Sequence, residues 1–156
     1  MKWLVQDMLP AQGLFLLKGS PKTGKTTLVK TLMASLDEGY DFLGKKTRVA
    51  YSVILEYGKY DMEKSAYYQI TDLVNEDPDI NLIIIDAMLP VAVPLLTAFN
   101  RAAHEHGVAV IFVTHKNKIE DTELGWFNGK WVIRRDKGKR YLQVAIDDHP
   151  GFEIKL

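Results

Sequence analysis

Short apolar runs alternate along this chain with longer stretches in which apolar residues recur every third or fourth position. Leu14-Phe15-Leu16-Leu17 reads as a buried strand, and a glycine-containing loop follows it directly. A helix is predicted over residues 25–36, where Leu28, Leu32 and Leu36 fall on one face. Residues 48–55 are rich in β-branched and aromatic side chains and predict a second strand. Asp61 is placed to cap a helix that ends near Asn75, ahead of Asp77-Pro78. Residues 80–85 are almost continuously apolar, as a parallel strand buried on both faces should be. Pro90 and Pro94 open another helix, Gly107 stops it, and residues 108–113 give a fourth buried strand.

The pattern changes after that. Trp131-Val132-Ile133-Arg134 and Tyr141-Leu142-Gln143-Val144 flank Asp136-Lys137-Gly138-Lys139, which predicts a β-hairpin, and residues 152–155 add a last short strand. Four β–α units followed by a hairpin predict an α/β three-layer sandwich around a mostly parallel sheet with a C-terminal β-hairpin. No repeat, low-complexity tract or Pro/Gly/Ser-rich linker interrupts the alternation, so residues 1–156 are expected to form one domain.

Composition narrows the function classes. The chain has no cysteine, which excludes disulfides, thiolate metal sites and thiol catalysis and suits a reducing cytoplasm. Lysine plus arginine (20) equals aspartate plus glutamate (20), so no global field draws the chain onto nucleic acid or anionic lipid. No apolar run reaches the length of a membrane span, and Gln6 and Asp7 break the apolar character near the N-terminus. A cytoplasmic protein without membrane contact is expected.

The loop after the first strand carries the chemistry. Gly19-Ser20-Pro21-Lys22-Thr23-Gly24-Lys25-Thr26 matches Gly-x-x-x-x-Gly-Lys-Ser/Thr in full, between a strand and a helix. The glycines let the backbone curl so that successive N–H groups point at phosphates, and the helix N-terminus adds positive potential. Lys25 would reach the β- and γ-phosphates of ATP, and the Thr26 hydroxyl would ligate Mg2+; Thr27 completes the binding segment.

Three further residues end strands. Asp86 follows the apolar run 82–85, where a carboxylate can hold magnesium or its waters. Glu56 ends the second strand, where it can polarise an attacking water as general base or simply be solvated. His115 follows the fourth strand and can touch the γ-phosphate or lie in a surface loop. His104 and His106 are two apart on a helix, do not share a face, and read as surface residues rather than a metal pair.

With these residues in place the chain resembles the RecA-like ATPases, and within them the branch of RepA-type hexameric replicative helicases and related AAA-type ATPases, in a compact version. The resemblance runs from Trp3-Leu4-Val5, Leu9-Pro10 and Gly13-Leu14 into the phosphate loop, then through Gly39-Tyr40-Asp41-Phe42-Leu43-Gly44, the strand 82–86, the strand 106–115 and Phe152-Glu153-Ile154. It implies ATP hydrolysis by activated-water attack, with Lys25, Glu56 and His115 as catalytic residues. It also implies a sensor strand lying between the phosphate-loop strand and the strand ending in Asp86, self-association into a ring, and a link to DNA replication or recombination.

Two departures bear on that expectation. The segments 57–80 and 86–108 are short for such a protein. Ring-forming relatives place a lysine and an arginine on the last hairpin to reach a neighbour's γ-phosphate, and the matching positions here are Ile146, Asp147 and Asp148. Hydrolysis without those cations should be slow. Arg134, Arg135 and Arg140 are the candidate substitutes, or else solvated charges on an exposed hairpin. An ATP-binding switch or assembly module with little hydrolysis is therefore the alternative function; a small-molecule kinase would need an arginine-rich lid and an acceptor pocket, and the sequence offers neither.

Single-stranded DNA is a possible partner through residues 116–126, where Lys116, Lys118 and Trp126 suit backbone contact and base stacking, but Glu120, Asp121 and Glu123 oppose it. Lys137, Lys139 and Arg140 form a second small basic cluster.

Overall fold

The computed structural model describes residues 2–56, 65–86, 92–114 and 119–156, and of Glu56 only the backbone. The chain order is β1 (Trp3–Val5), β2 (Leu9–Pro10), β3 (Gly13–Lys18), α1 (Lys25–Glu38), β4 (Tyr51–Glu56), α2 (Ala66–Glu76), β5 (Ile80–Asp86), α3 (Val93–His106), β6 (Ala109–Thr114), α4 (Asp121–Leu124), β7 (Gly129–Asp136), β8 (Lys139–Ile146) and β9 (Phe152–Lys155). Seven strands form one sheet in the order β4-β5-β6-β3-β7-β8-β9. The first five run parallel, and β8 and β9 are antiparallel additions at one edge.

Strand alternation sends successive side chains to opposite faces and so builds two cores. Phe15, Leu17, Ile84, Ile111 and Val113 face α1, where Leu28, Val29, Leu32 and Leu36 meet them. Leu14, Leu16, Ile83, Ile85, Val110 and Phe112 face α2 and α3, against Ile70, Leu96, Phe99 and Ala103. The expected three layers are present, and β6 lies between β3 and β5 as expected.

The helix ends follow local chemistry. Gly39 and Gly107 close α1 and α3 in the left-handed region, and Pro94 sits in the first turn of α3. Ser65, not Asp61, caps α2: its hydroxyl accepts from the Tyr68 N–H at 3.4 Å, while Asp61 lies outside the described residues. The hairpin turn puts Lys137 at φ 51° and Gly138 at φ 77°, the pair of positive angles a two-residue turn between twisted strands requires.

Three elements differ from expectation. β4 starts at Tyr51 rather than Arg48, because the donors before it are spent elsewhere: the Arg48 N–H bonds the Leu4 carbonyl and the Ala50 N–H bonds the Leu36 carbonyl, both at 2.9 Å. The β1–β2 ribbon was not foreseen as structure. It lies over the α1-side core, where Trp131 Nε1 donates to the Met8 carbonyl at 2.8 Å and Trp131 stacks on Phe42. Residues 121–124, for which the sequence predicts no element, form α4, whose start carries a capping box between Glu120 and Glu123. No helix among the described residues is long and apolar enough to cross a membrane.

Candidate functional site

β3 ends at Lys18 and α1 begins at Lys25, so Gly19 to Gly24 must turn the chain at the C-terminal edge of the sheet. Two residues take positive φ to do it, Lys22 at 63° and Gly24 at 92°. Gly19 is needed for room: a Cβ there would lie 2.7 Å from Thr23 Oγ1 and 3.3 Å from the Ile133 Cβ. Thr23 is buried, and its hydroxyl donates to the Ser20 carbonyl at 2.7 Å, which closes the loop on itself. No side chain caps the N-terminus of α1, and its first turn has no acidic residue, so its N–H groups remain available to an anion.

Lys25 is buried, 4% exposed, and its ammonium donates to the Gly19 carbonyl and, at 3.3 Å, to the Ser20 carbonyl. Burial pushes its pKa below the usual 10.5, and the carboxylate of Asp86 pulls the other way. Asp86 therefore acts on Lys25, although 61 positions separate them in the chain. Asp86 is at the tip of β5, beyond Ile85, and is half-buried. Thr26 and Thr27 are exposed in the first turn of α1, with the Thr26 hydroxyl open to solvent-borne ligands.

Glu56 is the register partner of Asp86 across β4 and β5, so both carboxylate-bearing positions lie at the same edge as the loop. β6 ends at Thr114, buried, and brings the chain to that edge too; His115 lies outside the described residues. The sequence offers Arg134, Arg135 and Arg140 only as cations for a neighbour's phosphate, and two of them reach the loop of their own chain. Arg140 Nη1 donates to the Thr23 carbonyl at 2.8 Å and Arg135 Nη2 to the Lys22 carbonyl at 2.5 Å. Arg134 is instead paired with Glu153 through two bonds of 2.7 and 2.8 Å and lies over the Tyr141 ring. The hairpin turn signal was legible, but nothing local said that it would reach the loop.

Other candidate residues are spent elsewhere. His106 Nε2 is 2.9 Å from Thr71 Oγ1, and His104 Nδ1 is 2.9 Å from the Asn100 carbonyl, so both serve the surface of the α2–α3 layer. Trp126 is half-buried against the α3-side core rather than standing free as a stacking platform, while Lys116 and Lys118 lie outside the described residues. Ile146, Asp147 and Asp148 fall at the opposite edge of the sheet, since Ile146 pairs with the start of β7. A cavity of about 580 Å³ opens there, lined in part by Lys2, Arg48, His104 and Asp147. Burial and the neighbouring Asp148 push the Asp147 carboxyl up.

Residues 1–55 match the model of a family described as an AAA domain. No curated protein sequence matches the chain. Among solved structures, a KaiC-like protein from the hyperthermophilic archaeon Pyrococcus horikoshii OT3 superposes with a TM-score of 0.66 at 18% identity, over 97% of this chain and 88% of that one. The N-terminal domain of zonular occludens toxin from Neisseria meningitidis gives 0.56 at 17%, over 93% of each chain. The RadB recombinase gives 0.59 at 13%, over 95% and 87%. At these identities the likeness is one of fold, and the fold is that of the RecA-like P-loop nucleoside triphosphatases.

Proposed function

We propose that this chain is a Mg-ATP-binding ATPase built as one domain over residues 1–156. The observation that carries the reading is the loop 19–24 with the uncapped start of α1 beneath it, buried Lys25 inside it, and Asp86 close enough to act on that lysine. Oriented N–H groups at a helix N-terminus suit phosphate oxygens, and a lysine at the centre suits the β- and γ-phosphates.

The donor set fits a magnesium ion: one exposed hydroxyl, Thr26, and one half-buried carboxylate, Asp86, both hard oxygen ligands. Bound magnesium would offset the charge on the β- and γ-oxygens. The residues of the chain would do the rest. Residues 19–27 hold the polyphosphate, and the Lys25 ammonium exchanges its bonds to the Gly19 and Ser20 carbonyls for phosphate oxygens. Glu56 takes a proton from the attacking water, and His115 senses the γ-phosphate.

Two finer readings concern what the nucleotide drives. In the first, chains assemble into a ring and work as a helicase-like motor in DNA replication or recombination, in a cytoplasmic setting; one structural relative is a recombinase. In the second, the chain is a switch or assembly module with little turnover. The positions expected to supply trans-acting cations favour the second, being Ile146, Asp147 and Asp148.

Steady-state Mg-ATP hydrolysis over a range of protein concentrations, with Lys25→Ala as control, tests both levels. Loss of the charged bonds of Lys25 should weaken ATP binding by roughly tenfold to a hundredfold. Turnover per chain that climbs with concentration supports the ring. Binding with background turnover supports the switch, and equal ATP affinity in wild type and Lys25→Ala overturns the assignment of the site. Anisotropy of labelled single strands at low salt tests DNA contact, which no signal at micromolar protein would exclude.

A further inference from the structure

The terminal hairpin holds the phosphate loop of its own chain from behind. β7 runs parallel to β3 with Val132 in register with Lys18, the last residue of β3. β7 continues to Asp136, so its second half runs on alongside the loop. Ile133 backs Gly19, the Arg135 guanidinium holds the Lys22 carbonyl, and the Arg140 guanidinium holds the Thr23 carbonyl. Arg135 and Arg140 are directly paired across β7 and β8, which sends both side chains to the same face of the hairpin. Gly24 leaves Arg140 space: the nearest side-chain atoms to a Cβ placed on it belong to the Arg140 guanidinium, with Cζ at 3.7 Å.

The consequence lies in peptide geometry. In a trans peptide unit the C=O and the N–H point in opposite directions, and no described peptide in this chain is cis. The Lys22 carbonyl shares its unit with the Thr23 N–H, and the Thr23 carbonyl shares its unit with the Gly24 N–H. A guanidinium that pins each carbonyl outward therefore keeps each N–H turned inward, as a phosphate cradle needs. Charge-assisted bonds suit this task, being shorter and stronger than neutral ones.

We propose that Arg135 and Arg140 are positioning residues for phosphate binding in cis, presetting the Thr23 and Gly24 N–H groups as donors to a nucleoside polyphosphate. The inference rests on reading residues 19–27 as the polyphosphate site. It assigns the hairpin arginines to their own chain's ground-state binding and not to a neighbour's transition state. An unpinned loop populates its binding-competent form less, and apparent affinity falls in proportion. The loss should be the same for every ligand that uses these two donors.

The test uses the full chain and three probes: inorganic tripolyphosphate, Mg-ADP and a slowly hydrolysed Mg-ATP analogue. Arg135→Ala and Arg140→Ala should each raise Kd about fivefold to thirtyfold for all three probes. Arg140→Lys should recover part of the loss. In the ligand-free state, amide spectra should show the Thr23 resonance moving in Arg135→Ala and the Gly24 resonance in Arg140→Ala, with core resonances unmoved. Unchanged Kd in the double variant overturns the proposal. So does recovery of hydrolysis on mixing Arg140→Ala chains with Lys25→Ala chains, since that would mean the arginine serves a neighbour. Tight tripolyphosphate binding without nucleotide binding would sink the ATP reading and leave the positioning role standing; no binding of any probe by wild type would sink both.

Discussion

Gly24→Ala separates backbone strain from the hairpin contact. The residue sits at φ 92°, where an L side chain costs roughly 1–2 kcal/mol. The new Cβ would also strike the Arg140 guanidinium, which must withdraw from the Thr23 carbonyl. That bond is charged but half-exposed, so about 1.5 kcal/mol is a fair value for it. The single substitution should thus destabilise the ligand-free chain by about 2.5–3.5 kcal/mol. For a chain of this size that lowers Tm by roughly 5–14 °C. Arg140→Ala alone should cost about 1.5 kcal/mol.

The double variant decides the matter. Because the bond can be lost only once, Gly24→Ala with Arg140→Ala should cost no more than Gly24→Ala alone, a coupling of about 1.5 kcal/mol. Calorimetric melts and urea unfolding of the four proteins measure it. Strict additivity would mean that Gly24 and Arg140 do not meet in solution.

Nucleotide affinity should depend on pH through Lys25. Burial lowers its pKa below 10.5 in the free chain, and a bound polyphosphate raises it again, so binding takes up a proton in the window between the two values. Affinity should fall as pH climbs through that window toward 10.5, and Lys25→Arg should abolish the slope; calorimetry in buffers of different ionisation enthalpy reads the proton uptake directly, and proton release would show the sign to be wrong. Trp131→Phe keeps the ring stacked near Phe42 but orphans the buried Met8 carbonyl, which should cost about 1–3 kcal/mol in urea unfolding; no loss would show that the ribbon is not anchored there.

Much of the scaffold was legible because its signals are local. The run of four isoleucine and leucine residues before Asp86 can hardly be anything but a strand buried on both faces, and Leu28, Leu32 and Leu36 reach one face of a helix by spacing alone. Lys137-Gly138 announces its turn by backbone preference. The loop proposed to hold phosphate is readable for the same reason: its glycines, lysine and threonine fall within eight consecutive residues, 19–26. Ser65 was overlooked because caps compete over a few positions, and a helix boundary shifts at little energetic cost.

Tertiary packing alone sets what stands behind that loop. The Arg135–Lys22 and Arg140–Thr23 bonds join residues 113 and 117 positions apart, and the Trp131–Met8 bond spans 123. No periodicity carries such pairings, because they arise when β7 adds to the free side of β3 and overshoots its end. Strand order is set by the burial of whole faces across the sheet, a property of the assembled layers rather than of any window of sequence. Local residues thus determine which segment forms the loop proposed to cradle phosphate, and the packing of a distant hairpin determines how that loop is held.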